Sequence, residues 1–170
     1  GSGLIWFLGT LAALGVAFGS RTSSPQAFWV LSNFMAGLVL DVLIVGTVKG
    51  AFRRRRPNYT GEENGGYKTI IKVDSFSFPS GHTSRSAFVA LFLLLVAGGG
   101  GGAGPIAAVV WALATAASRV ALGRHYASDV AAGMVAAALN VALLTKGHFS
   151  GEVWSLSSPR AALLCSRLLP

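Results

Sequence analysis

The chain alternates long charge-free apolar stretches with short polar ones. No Asp, Glu, Lys or Arg occurs in residues 1–20, 22–40, 86–118 or 130–145. Each stretch is about as long as a bilayer-spanning helix needs, or reaches that length with a neighbour. Polar stripes at helical spacing, which a soluble bundle would carry, are almost missing. The pattern predicts helices over 4–18, 27–48, a third ending at residue 97, 106–122 and 126–145. A weakly amphipathic segment, 152–169, spans the membrane or lies at its interface. The expected fold is all-α, an integral-membrane bundle of about five to six helices, with residues 1–170 as a single domain.

Between these segments lie turn-formers at 19–25 and an almost pure glycine connection at 98–104, after which Pro105 suits the first turn of a helix. The polar stretch 58–76 is long for a compact domain and suggests a lid or substrate-facing loop. Composition agrees with a membrane protein: 52% of residues are hydrophobic and 12% charged, half the charged share of a soluble domain. The net charge of +8 arises from 14 Lys and Arg against 6 Asp and Glu. Four of these cations are consecutive, Arg53 to Arg56. The run abuts an apolar segment and no nucleic-acid module is present, so the expected anion is a lipid headgroup or phosphate rather than nucleic acid. The single Cys165 excludes an intramolecular disulfide and a cysteine-based zinc site. The opening apolar segment lacks a basic flank, which argues against a cleaved signal peptide.

Three polar stretches carry candidate chemistry. Lys49 and Arg56 are seven residues apart, close to two helical turns; a helix continuing to Pro57 would present both on one face. Arg53, Arg54 and Arg55 read as a basic membrane anchor. Ser80, Gly81 and His82 open a helix whose first amides form an anion site, with Gly81 allowing close backbone approach. Arg85, one turn on, is either a further phosphate contact or an interface anchor. Arg119 ends the fourth helix, and His125 and Asp129 are spaced to share a helix face. A carboxylate on one imidazole nitrogen fixes the tautomer and leaves the other to attack or take a proton. Asp41, inside an apolar helix, reads as a structural salt bridge or hydrogen-bonding group. His148 has no partner spacing.

Counting membrane crossings brings all three stretches to one face. That predicts an anion site with cations, helix-start amides and two histidines, a combination suited to phosphoryl transfer. One histidine would attack phosphorus and the other protonate the leaving oxygen. Acidic clusters of the kind that hold magnesium are missing, so a metal-free, cofactor-free mechanism is expected.

Lys49, six residues, Arg56-Pro57; Pro79-Ser80-Gly81-His82; and Ser118-Arg119, five residues, His125, three residues, Asp129 together resemble the three-part signature of the type 2 phosphatidic acid phosphatase superfamily. The resemblance implies His125 as a nucleophile forming a phosphohistidine, oriented by Asp129, with His82 as general acid. It implies phosphate binding by Lys49, Arg56, Ser80, Gly81 and Arg119. The residues around the signature look most like the polyisoprenoid diphosphate phosphatases. This implies a lipid phosphate or diphosphate substrate and an endoplasmic reticulum or nuclear-envelope membrane. The usual six-helix member has one more helix at its start, so a shorter branch or a missing N-terminal region is expected. Phosphatidate, sphingoid phosphates and undecaprenyl diphosphate are the alternative substrates. A catalytically silent scaffold is the alternative class, against which the intact His82, His125 and Asp129 speak.

Overall fold

The computed structural model describes residues 8–13, 25–57, 76–97 and 102–146. Residues 8–13 are helical, and four longer helices follow: α1 (Pro25–Phe52), α2 (Gly81–Val96), α3 (Ala103–Ala121) and α4 (Ala127–Lys146). The expected loop 58–76 except Phe76, most of the glycine connection, the segment 152–169 and His148 lie outside the described residues. So does the greater part of the first predicted helix.

Helix α2 is the hub and packs against α1, α3 and α4. Its buried face carries Phe88, Val89 and Phe92, which meet Leu38 of α1 and Ala137 and Leu144 of α4. The Phe34 ring stacks on Phe88 and tilts onto Phe92, with centroids 5.8 and 5.1 Å apart. On α4 the inward positions Gly133, Ala136, Ala137, Asn140 and Leu144 recur every three or four residues, as one face of a helix must. Asn140 Nδ2 donates to the Gly37 carbonyl at 2.9 Å, a polar tie between α4 and α1 within the apolar layer.

The outer faces of the described helices carry many large apolar side chains. Val39, Val42, Leu43, Val110, Trp111, Leu113, Val135, Leu139 and Leu143 are all exposed. Three helices, over Val30–Phe52, Ala103–Ala121 and Ala127–Thr145, are long and apolar enough to cross a membrane. A belt of this kind faces hydrocarbon rather than water. The protein is an integral-membrane helical bundle.

Two helix ends depart from expectation. Helix α1 starts at Pro25, a residue suited to a first turn, and stops at Phe52, not near Arg56. Arg53 takes a positive φ of 46° while its amide still bonds the Lys49 carbonyl at 3.0 Å. From there to Pro57 the chain is not helical. Lys49 and Arg56 therefore do not share a helical face. Pro57 disfavours helix before it, four like charges would repel on adjacent turns, and the carbonyls of Arg54 and Arg55 bond Ser77 instead.

Helix α4 meets the start of α2 through Gly133. A Cβ there would lie 2.7 Å from the Ser80 carbonyl oxygen and 3.2 Å from the Ser84 amide, both backbone atoms that move only with the helix. Gly133→Ala is expected to destabilise the fold by about 1–3 kcal/mol through overpacking, more than the roughly 1 kcal/mol that alanine gains in helix propensity. Thermal unfolding in detergent checks it.

Candidate active site

The site forms where the end of α1, the start of α2 and the α3–α4 turn converge. Ser77, fully buried, joins them. Its amide bonds the Arg54 carbonyl at 2.9 Å, and its hydroxyl lies 3.2 and 3.0 Å from the carbonyls of Arg54 and Arg55. One residue before it, the Phe76 carbonyl accepts from Lys49 Nζ at 2.6 Å. The Ser80 amide bonds the Asp129 carbonyl at 2.9 Å, which brings the starts of α2 and α4 together.

His125 is delivered by a turn that the backbone dictates. Gly123 adopts a φ of 63°, a conformation glycine takes without penalty. Its amide bonds the Val120 carbonyl, and that of Arg124 bonds the Arg119 carbonyl, the paired bonds of a Schellman helix end. The His125 amide also bonds the Arg119 carbonyl, at 3.2 Å. The imidazole is 3% exposed, and its Nδ1 lies 2.8 Å from the Ser77 carbonyl oxygen. A carbonyl only accepts, so Nδ1 carries the proton and Nε2 the lone pair.

Asp129 lies near His125 without bonding its ring. Asp129 Oδ2 lies 3.7 Å from Nδ1, beyond hydrogen-bonding distance. This oxygen instead accepts from the Tyr126 amide at 2.9 Å, capping the first turn of α4. The other carboxylate oxygen takes Arg54 Nη1 at 2.9 Å. Burial, together with the charges of Arg56 and Lys49, lowers the His125 pKa from 6.5 to about 4 against the opposing Ser77 bond and Asp129 charge. At neutral pH the ring is therefore neutral with a nucleophilic nitrogen available.

Lys49 is buried and Arg56 half-buried. Arg119 is half-buried, and its Nε is buried with no hydrogen-bond partner among the described residues. A donor in that condition suits an anion. Gly81 and His82 are the first two residues of α2, both half-buried, at the end where helix amides face outward. Ser80 is the N-cap of α2; its hydroxyl accepts from the Thr83 amide. Arg85 is not at the site. It pairs with Asp41 at 3.1 Å, where Ser84 also donates to the carboxylate at 2.5 Å, so Asp41 takes the structural role expected of it.

Two contributors escaped sequence reasoning. Ser77 acts through its carbonyl, which residue type does not advertise. Arg54, assigned to a membrane anchor, also donates to Ser128 Oγ at 2.8 Å and lies 4.1 Å over the Tyr126 ring.

A helical membrane bundle with a neutral, buried histidine ringed by cations at one end defines the class. The PAP2 superfamily model matches residues 30–150, and the chain belongs to that superfamily. It is 36% identical over 134 aligned residues to the probable lipid phosphate phosphatase beta of Arabidopsis thaliana, an alignment covering 65% of this chain and 62% of the relative. The chain thus spans less than two thirds of that relative's length. No solved structure matches.

Proposed function

We propose that the protein is a membrane lipid phosphatase that hydrolyses polyisoprenoid diphosphates and monophosphates through a phosphohistidine. The observation that carries this reading is the neutral His125, its Nδ1–H hydrogen-bonded to the Ser77 carbonyl, under the charges of Lys49 and Arg56. The cations and the amides at Gly81 and His82 hold the phosphoryl oxygens and offset their charge. His125 Nε2 donates its lone pair to the terminal phosphorus while its bond to the leaving oxygen breaks, that of the lipid phosphate in a diphosphate and that of the lipid alcohol in a monophosphate. The electron pair leaves on that oxygen, which takes a proton from His82. Water then attacks phosphorus, gives a proton to His82, and the P–N bond breaks to release phosphate and restore His125. Asp129 stabilises the imidazolium by charge.

Because Nε2 attacks only when unprotonated, its lowered pKa keeps it competent well into the acid range. The acid limb of kcat/KM is expected near pH 4 rather than 6.5, with activity lost as pH falls through that value. A pH-rate profile corrected for substrate ionisation checks it; a limb at 6.5 contradicts the environment described for His125.

The isoprenoid preference rests on the residues around the signature. The endoplasmic reticulum or nuclear envelope is the membrane proposed. Phosphate release by purified protein in detergent with EDTA, comparing farnesyl diphosphate with phosphatidate, tests the assignment. Faster release from the diphosphate supports it. Preference for phosphatidate keeps the chemistry and overturns the substrate; no release from either, or from other phosphate esters, overturns the phosphatase reading.

A further inference from the structure

We infer that Arg54 is a positioning residue that closes a ring of contacts around His125 and holds the Asp129 carboxylate off the imidazole, so that Nδ1–H donates its hydrogen bond to the Ser77 carbonyl. The inference rests on the phosphatase reading of the same site.

Arg54 is used at both ends. Its main-chain carbonyl accepts the Ser77 amide, and the Ser77 carbonyl accepts from His125 Nδ1. Its guanidinium bonds Asp129 Oδ1 at 2.9 Å and Ser128 Oγ at 2.8 Å, one turn beyond His125, with the Tyr126 ring beneath it. The contacts therefore run from the Arg54 backbone through Ser77 to the His125 ring, and from the Arg54 side chain through Asp129 to the Tyr126 amide, the residue after His125. Both Asp129 oxygens are engaged, one by Arg54 and one by the Tyr126 amide. The neighbouring Arg53 does not substitute: its Nε donates to Gly50 in its own turn. Pinning Arg54 on a non-helical stretch also places Arg56, two residues on, whose charge acts on His125.

The charged groups facing His125 are Lys49 from α1, Arg56 from the segment after it and Asp129 from α4; Arg54 acts through Asp129. Removing Arg54 takes away a cation and releases a buried carboxylate toward Nδ1. Both changes favour the imidazolium, so the sign is the same.

Arg54→Gln is expected to lower kcat about tenfold or more with KM within about twofold. Its acid limb should move up from about pH 4 toward 6.5. Arg54→Lys, which keeps the charge but not the fork, should be intermediate in both. A loss confined to KM would make Arg54 a substrate contact and overturn the inference, as would parent-like kinetics in either variant. If Arg54→Gln does not fold, Arg54→Lys decides alone, with parent-like kcat overturning the inference. The pH dependence of His125 carbethoxylation by diethyl pyrocarbonate, read by peptide mass spectrometry, needs no turnover. A shifted profile in a protein that hydrolyses no lipid phosphate would overturn the proposed function and uphold the role of Arg54. An unshifted profile in an active protein would do the reverse.

Discussion

His125→Ala is expected to lower kcat by at least about a thousandfold, as removal of an attacking nucleophile does. The ring lies at the convergence of α1, α2 and the α3–α4 turn with its Nδ1 proton committed to Ser77 and its second nitrogen carrying the lone pair. The surrounding cations would still bind phosphate, so KM should change little. The substitution removes one hydrogen bond to Ser77, about 1 kcal/mol, and the turn that delivers the residue is held by backbone bonds to Arg119 that alanine keeps. Phosphate release at saturating substrate, with thermal unfolding in parallel, separates lost chemistry from lost fold. A folded His125→Ala protein that retains parental turnover would remove the nucleophile from the mechanism.

The largest stability effect is expected at Asp41, away from the site. Asp41 is eight residues before Lys49, about 12 Å deeper along α1, and 1% exposed. It receives Ser84 and faces Arg85, joining α1 to α2 within the apolar layer. Asp41→Ala leaves a largely buried guanidinium without its counter-charge and should cost about 3–5 kcal/mol. Asp41→Asn retains an acceptor for Ser84 and should cost less. Equilibrium unfolding in detergent distinguishes them; equal stability of parent and Asp41→Ala would mean that the pair does not hold the two helices together.

The helices were legible because the charge-free runs are about as long as bilayer-spanning helices or reach that length with a neighbour, and crossing parity then brought Lys49, His82 and His125 to one end. The local chemistry was less legible. The end of α1 at Phe52 depends on Arg53 taking a positive φ and on Ser77 recruiting the following carbonyls, a pairing between residues 23 and 22 positions apart. Four identical arginines carry no mark to single out Arg54, whose partner Asp129 is 75 positions away. The signature spacing suggested an Asp129–His125 bond, yet an aspartate three residues after Tyr126 is also a helix-capping pattern, and that local bond is the one formed. Gly123 and Gly133 looked alike in sequence. One supplies a turn and the other close helix approach, a distinction made only by φ and by the neighbouring backbone.

The most direct test of the central claim is to quench a single turnover with labelled lipid phosphate and locate the label by peptide mass spectrometry under alkaline conditions that preserve phosphoramidates. The account predicts an acid-labile phosphoryl group on His125, formed before phosphate appears and missing from His125→Ala. Label on another residue, or phosphate formed with no protein-bound phosphoryl group on the pathway, would contradict it.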